Sequence, residues 1–104
     1  MFCFPFKLIW IKTDYPLSYP AQIAFSVPKR RFKKAHDRNL IKRRIREAYR
    51  LNKSNLYQFL EEKELRIQIL VAYVSPQVMT YHEIERKTKT ALENLMAAIE
   101  KPGK

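Results

Sequence analysis

The sequence predicts one α/β domain of the mixed α+β type: a small, mainly antiparallel sheet with a long basic helix and a C-terminal helix, in the order β-β-α-β-α. A length of 104 residues suits a single domain, and 46% hydrophobic residues suit a folded core. Short runs of β-branched and aromatic residues alternate with two longer segments of helical periodicity. We therefore expect one domain over residues 1–104, with an ordered core over about residues 6–99.

Two strands are expected first. Residues 6–12 are rich in β-branched and aromatic side chains, which favour strands. Prolines and polar residues make 14–20 a turn region. Apolar and polar residues then alternate over 21–27, which predicts a half-buried strand antiparallel to the first.

A long helix should follow over residues 38–60, which contain no Pro or Gly. Asp37 fits its N-cap or its first turn. Asn52, Ser54 and Asn55 predict a kink or fraying near its middle. The residues at helical spacing that form its apolar face are Ile41, Ile45, Ala48 and Tyr49.

A further strand and helix complete the domain. The apolar run 66–74 predicts a buried central strand. Thr80 followed by Glu83 fits a capping box, and the helix it opens should run to about residue 99. The residues of that helix expected to face the core are Ile84, Thr88, Ala91, Leu92, Leu95 and Ile99.

The positive charge is concentrated in one quarter of the chain. Lys and Arg number 21 against 10 Asp and Glu, a formal net charge of +11. The 25 residues from Lys29 to Lys53 hold twelve basic and two acidic side chains, and the remaining 79 carry a net charge of +1. A neutral scaffold with one basic element indicates a polyanionic partner, either nucleic acid or an anionic membrane surface.

The basic residues of the long helix recur every four positions. Arg38, Lys42, Arg46 and Arg50 therefore form one ladder, with Asn39 and Arg43 beside it. Unpaired like charges at this spacing repel, which favours a polyanion as their neutralising partner. Guanidinium groups bind phosphate in a bidentate way and stack on bases. The candidate binding residues are Lys29, Arg30, Lys33, Lys34, Arg38, Asn39, Lys42, Arg43, Arg46 and Arg50.

Two interpretations of this ladder do not involve nucleic acid. It could be a solvated charged face, or a helix lying on a membrane surface, which would require large apolar residues opposite the charges. No run of 18 apolar residues exists, so no transmembrane helix is expected. The apolar start of the chain lacks a positive n-region and is interrupted by Pro5 and Lys7, unlike a signal peptide.

The first strand carries aromatic residues at alternate positions. The residues of one parity are Phe2, Phe4, Phe6, Leu8 and Trp10. Aromatic side chains on one sheet face form a stacking platform for unpaired bases, although the same pattern also fits an ordinary core. We keep Trp10 as the candidate nucleic-acid contact of this strand.

The sequence shows no catalytic constellation and no metal site. The acids lie away from the basic segment, so they do not form the carboxylate cluster that a metal-dependent nuclease needs. Cys3 is the sole cysteine, which excludes a disulfide framework and favours a reducing compartment. Gly103 is the sole glycine, which excludes a phosphate-cradling Gly-rich loop. We expect no catalytic residue and no metal ligand.

Residues 35–50 strongly resemble the signature of the bacterial ribonuclease P protein component. The family pattern is Arg-Asn, two residues, Lys-Arg, two residues, Arg, and Arg38, Asn39, Lys42, Arg43 and Arg46 match it position by position. Residues 25–30, Phe-Ser-Val-Pro-Lys-Arg, resemble the family's preceding strand and its Ser-x-Lys-Lys-like run. The resemblance follows the element order over about residues 6–98 and is specific mainly over 25–50.

The resemblance implies an RNA-binding subunit of a cytoplasmic ribonucleoprotein that removes the 5′ leader of precursor tRNA. In that family the RNA subunit carries the active site and binds the Mg²⁺, and the protein binds the catalytic RNA and precursor tRNA. A cleft on the sheet face contacts the single-stranded leader, and Trp10 is the reasonable carry-over. The family fold also has a left-handed β-α-β crossover at the motif helix, where general rules favour a right-handed one.

One departure from the family is expected. Its members normally begin with an additional helix, whereas this sequence starts almost directly at the first strand. Either the start has been trimmed or misassigned, or this variant lacks the helix. Without the helix, the aromatic strand should be exposed and prone to self-association. We expect no contact with a membrane, and no protein partner is required. The alternative functions are a generic structural RNA-binding protein of ribosomal type, a DNA-compacting protein and a free-standing nuclease.

Overall fold

The computed structural model describes residues 1–16 and 18–101 of the chain. The strands are β1 (Phe2–Cys3), β2 (Phe6–Lys12), β3 (Ala21–Ser26) and β4 (Ile67–Tyr73), and the helices are α1 (Ala35–Asn52), α2 (Ser54–Glu62) and α3 (Tyr81–Glu100). The expected α+β class and the order of its five main elements are confirmed. The domain end expected at residue 104 lies outside the described residues.

In the part of the chain that the structure describes, the sheet has four strands in the order β1-β2-β4-β3. β2 pairs antiparallel with β4, from Phe6 opposite Tyr73 to Lys12 opposite Ile67, and β3 pairs parallel with β4 along its whole length. The expectation of a central strand at 66–74 is therefore confirmed. β3 runs antiparallel to β2 in direction but does not pair with it, because β4 lies between them. The handedness of the crossover from β3 to β4 stays a prediction.

Within residues 1–16 and 18–101, one face of the sheet is covered by helices and the other is not. Along β4 the side chains of Ile67, Ile69, Val71 and Tyr73 are buried, while Leu70 between them is 43% exposed. The run is apolar throughout, yet the strand is buried on one side rather than on both. The buried side packs under α1 and α3, and the apolar face predicted for α1 is fully confirmed: its buried residues are Ile41, Ile45, Ala48 and Tyr49.

Two details differ from the sequence-based expectation. The strand β1 forms a short antiparallel hairpin with β2 through the turn at Phe4 and Pro5, and the sequence analysis did not anticipate it. The long helix is interrupted at Lys53, which separates α1 from α2, as its polar middle predicted. Asp37 lies in the first turn of α1, and Lys34 holds the N-cap position.

The helix α3 begins as its sequence predicts. The Thr80 hydroxyl accepts a hydrogen bond from the backbone N–H of Glu83 at 3.2 Å, and the Glu83 carboxylate accepts one from the Thr80 N–H at 3.0 Å. This reciprocal pair satisfies two backbone donors at the helix start. The expected core residues of α3 are buried, except that Ile99 is only half-buried.

Candidate nucleic-acid interface

The outer side of α1 carries Arg46 of the predicted ladder together with the two residues beside the ladder, Asn39 and Arg43. At about 100° per residue, Asn39, Arg43 and Arg46 fall within about 60° of one another around the helix axis. All three are exposed, while Ile41 and Ile45 on the opposite side are buried in the core. The helix therefore docks on the sheet with one side and presents two guanidinium groups and an amide to solvent with the other.

The loop before α1 holds five exposed cations, Arg31 and four of the predicted binding residues. Lys29, Arg30, Lys33 and Lys34 are all exposed in the segment that leads from β3 into α1. Phe32 lies between them and is buried, with its ring 5.9 Å from the ring of Tyr73. One buried aromatic side chain thus fixes the loop on the core while its cations stay in solvent.

Arg38 belongs to the binding motif and also makes hydrogen bonds within the protein. Its Nη1 donates to the backbone oxygen of Phe32 at 2.6 Å and to that of Lys33 at 3.1 Å. Side chains on a helix tilt toward its N-terminus, so an arginine in the first turn reaches the carbonyls that precede the helix. Arg38 therefore links the first turn of α1 by hydrogen bonds to the basic loop, residues 27–34.

Arg50, at the far end of the ladder, pairs with an acid. Its Nη2 lies 2.7 Å from Glu47 Oε2 and its Nε 3.1 Å from Glu47 Oε1, a bidentate contact. The hydrogen bonds from Arg50 hold the pKa of the Glu47 carboxyl below its ordinary value. Helical spacing alone would equally allow Glu47 to pair with Arg43 or Arg44. Arg44 instead donates to the backbone oxygen of Met79 at 2.6 Å and links α1 to the start of α3.

We call the predicted binding residues other than Arg38 and Arg50 the basic face. Lys42 is half-buried at its margin, and the others are exposed. Its members are Lys29, Arg30, Lys33, Lys34, Asn39, Lys42, Arg43 and Arg46. A surface of this kind provides point charges, bidentate donors and one amide for a polyanion with phosphate groups.

Trp10 faces the helix-covered side of the sheet. It is half-buried and packs against the core, as Phe6 and Leu8 of the same strand do. Phe2 pairs with Lys7 in the hairpin and so faces the opposite side, because the turn at Phe4 and Pro5 interrupts the alternation. The expected aromatic face of one parity therefore does not form. Stacking by Trp10 stays a prediction.

The uncovered sheet face is aliphatic rather than aromatic. Ile9 and Ile11 of β2 are each 56% exposed, and Leu70 of β4 lies beside them. Lys7, Gln68 and Gln22 add polar groups, and the two amide side chains hydrogen-bond across the sheet at 2.8 Å. We call this surface the open face. Ile9 and Ile11 were missed as surface residues, although their alternation with the buried Leu8 was a usable signal.

Residues 1–16 and 18–101 lack two kinds of feature. No three His, Cys, Asp or Glu side chains in that part of the chain are grouped as they would be around a metal ion. None of its helices is long and apolar enough to cross a membrane.

The family model described as Ribonuclease P matches residues 3–96. The chain belongs to the ribonuclease P family. Two curated relatives, both named ribonuclease P protein component and both from strains of Porphyromonas gingivalis, are 32% identical over 90 residues. The aligned region covers 86% of this chain and 65% of each relative, so the chain spans just under two thirds of their length. No solved structure matches the chain.

Proposed function

We propose that this chain is the protein subunit of ribonuclease P. In this role it binds the catalytic RNA and the 5′ leader of precursor tRNA in the cytoplasm, and assists endonucleolytic removal of the leader. The observation that carries the proposal is the exposed cluster of Asn39, Arg43 and Arg46 on α1 of a ribonuclease P family member.

The division of labour follows from the resemblance. The RNA subunit supplies the active site and, together with the substrate, binds the Mg²⁺. The protein supplies electrostatic neutralisation, because the basic face brings cations to phosphate groups of two RNA chains that otherwise repel each other. Because Ile41 and Ile45 hold α1 on the sheet, the helix presents these cations on a backbone that is already folded.

The open face is the proposed contact for the single-stranded leader. Ile9, Ile11 and Leu70 offer apolar surface against which unpaired bases of the leader pack. Lys7 offers a cation that binds the phosphates linking those bases. Aliphatic side chains give weaker base contacts than aromatic ones. We therefore expect the leader to add less affinity than the basic face does.

The test is a reconstitution at low Mg²⁺ with a bacterial ribonuclease P RNA and a precursor tRNA that carries a 5′ leader. Cleavage is followed with RNA alone, with protein alone and with both. We expect cleavage only with both. Efficient cleavage by protein alone would identify a nuclease and overturn the proposal.

Salt dependence tests which surface binds. If about five phosphates are neutralised, the logarithm of RNA affinity should fall against the logarithm of salt concentration with a slope of roughly −3.5 to −4.5. Replacing Arg46 by Ala should make the slope shallower by roughly 0.7–0.9. A slope unchanged by this substitution would exclude Arg46 from the contact.

A structural RNA-binding protein of ribosomal type is the second candidate, favoured by the same basic face. It predicts tight binding that does not depend on the leader. Comparing precursor tRNA with mature tRNA in the presence of the catalytic RNA separates the two functions, since only the ribonuclease P subunit should favour the precursor.

A further inference from the structure

An aromatic cluster lies where α1 gives way to α2, at the end of the motif helix away from the basic loop. The rings of Tyr19 and Tyr57 have centroids 6.4 Å apart and are inclined by 33°. The Lys53 ammonium lies 5.1 Å from the centroid of the Tyr57 ring. Three side chains from a loop, a helix junction and a helix thus meet in one cluster of two rings and a cation.

The path of the chain explains this meeting point. Tyr19 lies two residues before the start of β3, and Tyr57 lies in the first turn of α2, so their contact places the start of α2 beside the start of β3. Tyr49 on the last turns of α1 contacts the ring of Phe25 in β3 edge-on, with centroids 6.1 Å apart. Tyr57 then follows one helical turn after Lys53, whose carbonyl accepts a hydrogen bond from the Tyr57 N–H at 2.9 Å.

Lys53 also extends the row of cations on α1. It comes seven residues after Arg46, which is close to two complete helical turns, so both side chains leave the helix in nearly the same direction. Lys53 keeps the helical backbone conformation, with φ of −82° and ψ of −11°. A nucleic-acid strand that follows the basic face along α1 therefore arrives at the cluster.

The three tyrosines of this region differ in burial, which distinguishes the two that pack within the protein from the one whose ring is exposed to solvent. Tyr49 is buried, and burial raises the pKa of its phenol, an effect to which the nearby Tyr57 hydroxyl adds. Tyr57 is half-buried, whereas Tyr19 is 64% exposed. Tyr49 and Tyr57 form a support, and Tyr19 presents its ring on that support to solvent.

We propose that Tyr19, supported by Tyr57 and Lys53, binds an unpaired base of an RNA strand that runs along α1. Aromatic rings stack on bases of any sequence, and a neighbouring ammonium both strengthens the stack and donates to the adjoining phosphate. The site would thus take single-stranded RNA without sequence preference. This inference rests on the proposed RNA-binding function and adds a base contact to a surface that otherwise binds phosphates.

The test measures binding of the full chain to an unstructured fluorescent RNA oligonucleotide and to the same oligonucleotide with abasic positions, which keep the phosphates. We expect Tyr19→Ala to weaken binding to the normal oligonucleotide by roughly 5-fold to 100-fold. Tyr19→Phe, which keeps the ring, should bind as the unchanged protein does. Binding to the abasic oligonucleotide should be the same for all three proteins.

Tyr15→Ala is the matched control, because Tyr15 lies in the same loop and is 70% exposed. It should leave binding unchanged. Equal losses from both alanine variants, no loss from Tyr19→Ala, or an equal loss on the abasic oligonucleotide would each overturn the base contact. Arg46→Ala serves as a separate arm: a loss there with none from Tyr19→Ala keeps the proposed function and removes this inference. No loss in either variant removes both.

Discussion

Arg38 illustrates how a side chain can belong to a binding motif and still act mainly inside the fold. Its guanidinium group spans two consecutive carbonyl oxygens of the loop that carries five exposed cations. Removing it leaves those carbonyls without a charged donor and frees the loop from the first turn of α1. The cost should therefore appear in the stability of the protein as well as in its affinity for RNA.

Arg38→Ala should lower the free energy of unfolding by about 1–2 kcal/mol, in line with the loss of hydrogen bonds from a charged donor. Arg46→Ala, an exposed change on the same helix, should alter it by less than about 0.5 kcal/mol. Urea denaturation followed by the fluorescence of the half-buried Trp10 measures both. Equal stability of the two variants would mean that the Arg38 contacts do not hold the loop.

Glu47 limits the charge that α1 presents. Glu47→Gln should release Arg50, raise RNA affinity at fixed salt and steepen the salt dependence by roughly 0.7–0.9, the share of one further phosphate. Glu62→Gln on α2 is the control with the same change of net charge. Equal increases in both variants would show a general charge effect, and the pairing of Arg50 would then be irrelevant to binding.

The lowered pKa of Glu47 sets the pH range of this restraint. The pKa of Glu47 is lower in the folded protein than in the unfolded chain, where it is near 4. The ion pair is therefore present at any pH above the unfolded-state pKa, and it is lost only as the pH falls through the folded-state pKa. Between about pH 8 and pH 6 the pair stays intact, so the affinity gained by Glu47→Gln should be constant over this range. A gain that varies there would point to a different group.

At the scale of elements, periodicity was sufficient wherever one segment alone decides its structure. The spacing of Ile41, Ile45 and Ala48 fixed the buried side of α1, and Thr80 with Glu83 fixed the start of α3. The alternation rule failed at the N-terminus because it holds only within one strand, and the turn at Phe4 and Pro5 starts a new one. Side-chain pairing such as that of Glu47 with Arg50 depends on rotamers, which spacing does not specify.

The start of α3 offers a test at this scale. Thr80→Ala removes the hydroxyl that accepts from the Glu83 N–H, and should lower the free energy of unfolding by about 1 kcal/mol. Thr90→Ala within the same helix is the control, since alanine favours a helix interior and should be neutral or slightly stabilising. A cost at Thr90 equal to that at Thr80 would mean that the cap does not stabilise the helix.

At the scale of the whole molecule, the charge and the apolar surface lie on different elements. The cations are on α1 and its loop, while Ile9, Ile11 and Leu70 are on the open face of the sheet. The sequence predicted the first from charge counting. It did not predict the second, because which side of a strand the helices cover depends on contacts distant in the chain.

The open face should make the free protein self-associate at high concentration. Because a net charge of +11 opposes association, salt should strengthen it by screening, whereas salt weakens RNA binding. Sedimentation equilibrium at low and high salt measures this, and Ile9→Lys or Ile11→Lys should restore the monomer. A monomer at high concentration in high salt would contradict the prediction.

The position of β4 between β2 and β3 also has a consequence for protein synthesis. Two strands made early must wait for a third that completes at Tyr73, 47 residues after β3 ends at Ser26. At about 5–20 residues per second, the ribosome takes roughly 2–9 seconds to make that segment. During this interval the sheet that will hold the basic helix has no central strand, so α1 has no complete surface on which to dock. Translation speed through residues 27–73 therefore sets how long β2 and β3 remain without the strand that pairs with both.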